Sequence, residues 1–234
     1  MSILAGTNMI GGYGKAMILN GCTIEVERGE IAVIVGPNGA GKSTAMKALF
    51  GMLELQSGQV ILEGDDITGL VPQSRVAKGM AFVPQTNNVF VSMSVEENLD
   101  MGAFLRTDDI ATTRHQIYEL FPILYEKRRQ AAGELSGGQR QQVAVGRALM
   151  TEPSVLMLDE PTAGVSPIVM DELFDRIIEV RNTGIAVLMV EQNARQALEI
   201  ADRGYVLVNG ENRFTDTGEA LLADNEVRRT FLGG

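Results

Sequence analysis

Cysteine, basic side chains and long apolar runs are scarce in this sequence. Its one cysteine, Cys22, excludes a disulfide within the chain, and we interpret it as a small buried hydrophobic residue of a protein from a reducing compartment. Lysine and arginine number 20 against 30 aspartates and glutamates, giving a net charge of −10 that disfavours a nucleic-acid partner. Because no apolar run approaches a membrane span and no signal peptide opens the chain, we expect a cytosolic protein.

Histidine is also scarce, whereas apolar residues are plentiful. The only histidine, His115, lies among polar residues, which predicts a surface position. Hydrophobic residues make up 45% of the 234 residues, enough for a large core and for one or two domains. We expect the 12 methionines to fill gaps in that core or to form contact surfaces, without a role in metal binding.

Residues 31–49 combine a short apolar run, a glycine-rich loop and the start of a helix. The run Ile31–Val35 is rich in β-branched residues and too short for an independent helix, which predicts a strand covered on both faces. The loop after it fits the phosphate-binding pattern of Gly, four residues, Gly, Lys and Ser or Thr. It consists of Gly36, Pro37, Asn38, Gly39, Ala40, Gly41, Lys42, Ser43 and Thr44.

Each residue type in this loop has a chemical reason. The glycines permit positive φ, so that consecutive backbone N–H groups can point at an anion. Lys42 can reach the β- and γ-phosphates, and the Ser43 hydroxyl can bind Mg²⁺. A glycine-rich turn without a ligand is the alternative. The strand before the loop and the helix after it favour a nucleoside triphosphate as the ligand.

Two adjacent carboxylates, Asp159 and Glu160, follow the buried-type strand at residues 155–158. Such a pair at the end of a strand is costly unless a cation or another partner is near. Mg²⁺ held by Ser43 would supply that cation. Asp159 would then lie on the metal side, while Glu160 polarises the attacking water.

Gln85 follows another buried-type strand, Met80–Val83, which stops at Pro84. In open α/β sheets, ligands bind at the carboxyl ends of the strands. Gln85 is therefore well placed to contact Mg²⁺ and water, although an ordinary loop glutamine would look the same.

The segment between Gln85 and the Asp-Glu pair has a helical pattern. Ser94 and Glu97 fit a capping box before a helix to about residue 105, and a second helix is predicted for residues 110–121. Residues 86–134 thus predict a small helical insert. A further helix begins after Leu135, where Ser136, Gly137, Gly138 and Gln139 provide either a simple N-cap or a second anion site.

The remaining elements alternate strands and helices around these motifs. At the start, a weak strand at residues 3–10 leads to a loop at 11–14, whose Tyr13 is either a platform for a nucleotide base or an ordinary loop tyrosine. We further predict strands at 18–26, 59–62 and 185–190, helices at 166–181 and 194–201, a hairpin with a type I′ turn at 209–210, and a helical tail at 218–234.

In this order, the phosphate loop, Gln85, the Leu-Ser-Gly-Gly-Gln segment and the Asp-Glu pair resemble the ATP-binding subunit of ABC transporters. The resemblance covers essentially the whole chain. It implies an α/β ABC-type P-loop ATPase with a mostly parallel core sheet, an antiparallel β subdomain and an inserted α-helical subdomain. It also implies a single ABC ATPase domain over residues 1–234, with the helical subdomain and the signature motif within residues 86–150.

The resemblance implies a role for each motif. The loop at residues 36–44 corresponds to Walker A, and Asp159 with Glu160 to the Walker B aspartate and the catalytic glutamate. Tyr13 corresponds to the aromatic residue that stacks on adenine. ATP and Mg²⁺ are the implied cofactors, with Ser43, Gln85 and Asp159 on the metal. The signature residues 136–139 would contact the γ-phosphate held by an opposite subunit, so two nucleotides would lie between two such chains.

The sequence departs from the family pattern at two places. Gln192 stands where the family usually has a histidine, and residues 163–166 lack the aspartate usual after Walker B. An amide cannot exchange a proton as histidine does, but it can hydrogen-bond to the γ-phosphate or to water. We therefore count Gln192 among the candidate catalytic residues, and Glu160 favours hydrolysis being retained.

Within this family, several segments resemble the LivF-like ATPases of bacterial branched-chain amino-acid importers. These segments are residues 92–99, 190–193, 196–198, 201–205 and 231–234. The expected function is ATP hydrolysis that powers import of branched-chain or other hydrophobic amino acids. The expected partners are a paralogous ATPase or a second copy, two transmembrane permease subunits and, indirectly, a periplasmic binding protein, at the cytoplasmic face of the membrane. Urea or amide import, a soluble non-transport ABC ATPase and a module that only binds ATP are the alternatives.

The glutamine at position 192 generates the first prediction. We expect Gln192→His to change the steady-state rate of ATP hydrolysis less than Glu160→Gln, because the carboxylate polarises the attacking water whereas the amide assists it. The rates are to be compared in the assembled transporter. Equally severe losses in the two variants would contradict this ranking.

Overall fold

The computed structural model describes residues 2–14 and 16–231, which form two β-sheets with helices packed around them. The strands are β1 (Leu4–Tyr13), β2 (Ala16–Val26), β3 (Ile31–Val35), β4 (Leu55–Leu62), β5 (Asp65–Asp66), β6 (Met80–Val83), β7 (Val155–Asp159), β8 (Ala186–Val190), β9 (Arg203–Val208) and β10 (Glu211–Asp216). The core sheet has the order β10-β9-β3-β8-β7-β6 and is parallel except for β10. The second sheet, β2-β1-β4-β5, is antiparallel. The predicted fold class is confirmed.

Strands β3, β7 and β8 are buried along their whole length, as their continuous apolar sequences predict. Alternate residues of β3 enter different apolar clusters. Val33 packs into the cluster that includes the helical insert, whereas Ile34 packs into the cluster that includes the antiparallel sheet. The core sheet therefore separates two apolar layers, and the only polar side chain of these three strands, that of Asp159, stands at the end of β7.

The helices are α1 (Lys42–Phe50), α2 (Pro72–Ala77), α3 (Val95–Gly102), α4 (Ala111–Leu120), α5 (Pro122–Glu126), α6 (Gly137–Leu149), α7 (Pro167–Asn182), α8 (Ala194–Glu199), α9 (Gly218–Ala223) and α10 (Asn225–Phe231). The predicted capping box at Ser94 and Glu97 is present. Helix α3 ends at Gly102, earlier than the predicted residue 105. Gly102 lies so close to α6 that a Cβ atom there would be 2.1 Å from the carbonyl oxygen of Arg147.

The predicted loop at residues 11–14 is wrong, because β1 continues to Tyr13. Gly11 pairs with Leu19 and Gly12 with Met17 on β2. A Cβ atom on Gly12 would lie 1.9 Å from the carbonyl oxygen of Ala16. Glycine here permits the two strands to approach closely. The same run of glycines is typical of an open loop, which explains the wrong prediction.

The hairpin between β9 and β10 connects the two sheets to the phosphate loop. Its turn residues Asn209 and Gly210 have φ values of 51° and 79°, as the predicted type I′ turn requires. The Gly210 N–H donates to the carbonyl of Ala40 at 2.9 Å, and the Gly210 carbonyl accepts from the N–H of Asn20 on β2 at 2.9 Å. The hairpin thus fixes the loop relative to the antiparallel sheet.

The predicted C-terminal helical tail is present as α9 and α10. Residues 232–234, which belong to the predicted tail and to the last segment of the family resemblance, lie outside the described residues. Across residues 2–14 and 16–231, the helices are too short or too polar to cross a membrane.

Candidate functional site

The candidate site lies where the carboxyl ends of β3, β6, β7 and β8 meet at one edge of the core sheet. Lys42 and Ser43 follow β3, while Gln85 follows β6. Glu160 follows β7, and Gln192 follows β8. Their strands are neighbours in the sheet, so residues separated by more than 100 positions are in contact. This is the edge at which the sequence placed them.

Two glycines of the phosphate loop have a backbone conformation that other residues rarely adopt. Gly36 has a φ of 145°, and a Cβ atom there would lie 2.2 Å from the carbonyl oxygen of Leu207. Gly41 has a φ of 99° and caps the N-terminus of α1. The loop therefore presents its backbone N–H groups at a helix N-terminus, an arrangement that favours phosphate.

Lys42 is buried against this loop. Its Nζ donates to the carbonyl oxygens of Gly36 at 2.9 Å and Pro37 at 3.1 Å. Burial lowers the pKa of Lys42, and the nearby carboxylates Glu160 and Asp159 act in the opposite direction. An anion placed on the loop would compete with the carbonyls for this ammonium group.

Ser43 and Asp159 provide two oxygens at the base of the loop. The Ser43 hydroxyl donates to Oδ1 of Asp159 at 2.9 Å. Across residues 2–14 and 16–231, no group of three or more His, Cys, Asp or Glu side chains is arranged to hold a metal. A hydroxyl beside one carboxylate fits Mg²⁺, which is commonly bound through one or two carboxylates together with substrate phosphates and water.

Glu160 is held by two amides from different loops. Gln85 Nε2 donates to its Oε2 at 2.5 Å, and Gln192 Nε2 donates to the same oxygen at 2.9 Å. The backbone of Glu160 has a φ of 50°, and its N–H donates to the carbonyl of Val190 at 2.9 Å. A positive φ is unfavourable for a non-glycine residue, so the surrounding bonds impose this conformation.

The sequence pattern did not predict two residues at this edge of the sheet, Glu191 and its partner Thr162. Glu191 is 2% exposed, and its carboxylate accepts from the backbone N–H of Thr162 at 3.0 Å and from the N–H of Gln192 at 3.2 Å. Burial raises the pKa of Glu191, while these hydrogen bonds lower it. The only signal in the sequence was a charged residue directly after an apolar strand.

Tyr13 lies on the same cleft as the loop. The cleft, about 400 Å³, is lined by Tyr13, Ile18, residues 38–44 and Glu160. Tyr13 is 49% exposed, and Nζ of Lys47 lies 6.0 Å from the centroid of its ring. An exposed ring beside a phosphate loop leaves a face on which a nucleotide base can stack.

The segment at residues 136–139 is placed elsewhere. Ser136 Oγ accepts from the N–H of Gln139 at 3.3 Å, and the Gln139 side chain accepts from the N–H of Ser136 at 3.1 Å. This capping box confirms the predicted N-cap. None of these four residues lines the cleft at the phosphate loop, so one chain does not bring the two segments together.

An apolar groove lies between α3, α6 and the edge of the core sheet. The groove has a volume of about 390 Å³, and its lining includes Phe50, Phe82, Phe90, Met101, Phe104 and Arg147. Phe104 is 70% exposed. The Arg147 guanidinium lies 5.0 Å from the centroid of the Phe90 ring and, among the described residues, forms no ion pair. Burial lowers the pKa of Arg147.

Comparisons with known proteins agree on one family. A family model for ABC transporters matches residues 19–163. The chain is 45% identical to the branched-chain amino acid transport ATP-binding protein BraG of Pseudomonas aeruginosa, over 95% of this chain and 96% of the relative. It is 41% identical to a probable branched-chain amino acid transport ATP-binding protein, LivF, of Archaeoglobus fulgidus, over 95% of each. The solved ADP conformation of an ABC transporter ATP-binding cassette matches 100% of both chains, with a TM-score of 0.90 and 31% identity.

The exposed face of Tyr13 generates the second prediction. We expect Tyr13→Ala to weaken ATP binding by about tenfold or more, since stacking on an aromatic ring contributes ~1–3 kcal/mol per base. Tyr13→Phe, which keeps the ring, should bind as the wild type does. The measurement is equilibrium titration with a fluorescent ATP analogue.

A matched control is Tyr125→Ala, which removes a ring of similar exposure, 53%, from the helical insert. Equal affinities for Tyr13→Ala, Tyr125→Ala and the wild type would show that Tyr13 is an ordinary surface tyrosine.

Proposed function

Because the chain belongs to the family of ABC transporter ATP-binding subunits, which bind and hydrolyse ATP, we propose that it powers import of branched-chain or other hydrophobic amino acids. The observation that carries this proposal is the 45% identity to BraG over 95% of the chain. Import of urea or amides is the alternative solute class. A soluble, non-transport ATPase is less favoured, because the insert consists of short helices and no long coiled coil.

The phosphate loop binds the triphosphate in this proposal. Backbone N–H groups of residues 36–44 and the N-terminus of α1 surround the β- and γ-phosphates, and Lys42 exchanges its two carbonyl partners for phosphate oxygens. Mg²⁺ held by Ser43 and Asp159, with Gln85 beside them, would neutralise charge on the phosphates.

Glu160 acts on the attacking water. Both amides that fix its carboxylate bind Oε2, and within the described residues no side chain donates to Oε1. Oε1 is thus the oxygen that accepts a hydrogen bond from water and polarises it toward the γ-phosphate. Gln192 contributes by keeping the carboxylate oriented and by hydrogen-bonding to phosphate or water without taking a proton.

A second ATPase chain completes the site. The cleft of one chain lacks the segment at residues 136–139, whose N-terminal helix turn suits the γ-phosphate of a nucleotide bound by a facing chain. The facing chain is a paralogue or a second copy. Residues 1–234 act as one ABC ATPase domain, with residues 86–150 as the helical subdomain that moves when the two chains close on ATP.

The membrane partners are two permease subunits, which place the ATPase at the cytoplasmic face of the membrane and connect it indirectly to a periplasmic binding protein. The groove around Phe90 and Phe104 suits a permease segment with an apolar face. Arg147 lies in this groove without an ion-pair partner in the described part of the chain, so the segment should carry a carboxylate.

The direct test is Mg-ATP hydrolysis by the chain alone and in complex with its candidate ATPase partner and permease subunits. We expect the complex to hydrolyse ATP faster when binding protein loaded with a branched-chain amino acid is added. Glu160→Gln should abolish the stimulated rate, since its amide is a much weaker proton acceptor than the carboxylate. Stimulation by urea-loaded binding protein alone would instead favour the urea importer, and full activity indifferent to permeases would favour a soluble ATPase.

The groove generates a further prediction. We expect Arg147→Glu to weaken association with the permease subunits at least about tenfold, because it places like charge against the permease carboxylate. ATP binding by the isolated chain should be unchanged. The measurement is co-purification of detergent-solubilised complexes together with nucleotide titration.

Arg140→Glu is the matched control, because Arg140 lies on the same helix and does not line the groove. If the two charge reversals affected association equally, the groove would not be the contact surface.

A further inference from the structure

Glu191 is a buried carboxylate that joins two loops at the edge of the core sheet. One of its oxygens, Oε1, accepts from the N–H of Thr162 after β7, and the other accepts from the N–H of Gln192 after β8, at 3.0 and 3.2 Å. Only 2% of the residue is exposed. Keeping a carboxylate in such a place is costly unless both oxygens have partners, so these two bonds hold the loops strongly.

Both loops lead to Glu160. Thr162 belongs to the turn that begins at Glu160, in which the N–H of Ala163 donates to the Glu160 carbonyl at 3.1 Å. From the other loop, the Gln192 side chain donates to Glu160 Oε2 at 2.9 Å. Covalent and hydrogen bonds therefore join four residues in a closed ring: Glu160, Thr162, Glu191 and Gln192.

The orientation of the Gln192 side chain depends on this ring of bonds. Its bond to Glu160 is the only hydrogen bond of its side chain in the described part of the chain. A glutamine side chain is flexible, and ordering it costs conformational entropy. Its amide stays near Glu160 only if the backbone is fixed, and the contact from its own N–H to Glu191 supplies that constraint.

We propose that Glu191 is a positioning residue for ATP hydrolysis. Its carboxylate fixes the Gln192 backbone and the turn after β7 relative to each other, which keeps the Gln192 amide on the Glu160 carboxylate. Glu191 does not line the cleft at the phosphate loop, so its effect on hydrolysis passes through Gln192 and Glu160. This proposal rests on the roles proposed above for Glu160 and Gln192, and it is independent of the solute that the transporter moves.

The test is a double-mutant cycle on the rate of ATP hydrolysis, using Glu191→Ala, Gln192→Ala and the double variant in the assembled transporter. We expect Glu191→Ala to lower kcat about tenfold while KM for ATP stays within about threefold, because orientation of the catalytic carboxylate is lost and phosphate binding is not. In the Gln192→Ala background, the same substitution should lower kcat less than about twofold, because residues that act as a unit are non-additive.

Tyr205→Phe is the matched control for a purely structural effect. The Tyr205 hydroxyl likewise accepts from one backbone N–H, that of Glu25, at 2.9 Å, and it donates to the Glu25 carbonyl at 2.8 Å. It lies in the core away from the cleft, so its loss should lower the melting temperature and leave kcat unchanged. Amide exchange measured by NMR on the isolated chain should accelerate at Thr162 and Gln192 in Glu191→Ala, and at Glu25 in Tyr205→Phe.

Each other outcome decides against the proposal in a different way. If the losses in kcat are additive, or if Tyr205→Phe lowers kcat as much as Glu191→Ala, then Glu191 does not act through Gln192. If Gln192→Ala lowers kcat and Glu191→Ala does not, only the assignment of Glu191 is wrong. If Gln192→Ala has no effect on kcat, the role proposed for Gln192 is wrong as well.

Discussion

Burial of three carboxylates at the ends of two apolar strands, β7 and β8, is the constraint on which the site depends. Asp159, Glu160 and Glu191 are 8%, 7% and 2% exposed. Because a buried carboxylate requires hydrogen-bond donors, each of these three carboxylates accepts hydrogen bonds from another part of the chain. The hydroxyl of Ser43 donates to Asp159, amides from two loops donate to Glu160, and backbone N–H groups donate to Glu191. The phosphate loop, the start of the insert and both neighbouring loops are thus positioned together.

The other side of the phosphate loop is fixed by the hairpin of β9 and β10. Asn212 on β10 exchanges two hydrogen bonds with the backbone of Thr23 on β2, at 2.7 and 2.8 Å, and so joins the antiparallel sheet to the core sheet. β2 is also the strand with which Tyr13 pairs, at Ala16. The geometry between the phosphate loop and the aromatic ring is therefore set by contacts between the sheets.

Features with local causes were predictable from the sequence, and features with distant causes were not. The strand Ile31–Val35, the capping box at Ser94 and the type I′ turn each depend on residues within a few positions of one another. Glu191 could not be found in this way, because its partner Thr162 lies 29 positions away. Likewise, the glycines before Tyr13 resemble a loop in sequence, and only their pairing with β2 makes them a strand. The groove around Arg147 depends on packing between distant elements.

Helix α6 connects the two surfaces for which we propose partners, the groove around Arg147 and the segment at residues 136–139. It begins directly after Ser136 and runs for 13 residues, about 20 Å, to Leu149, so that Arg147 lies in its last turn. Its capping box fixes the first turn, and Val143 and Val145 are buried in the apolar cluster that joins the insert to the core sheet. We expect a capped helix of this length to move as one rigid element. A permease segment bound in the groove would therefore displace the signature residues directly, and ATP bound by a facing chain would displace the groove in return. If the permease segment changes the affinity for ATP in this way, ATP must change the affinity for the permease segment by the same factor.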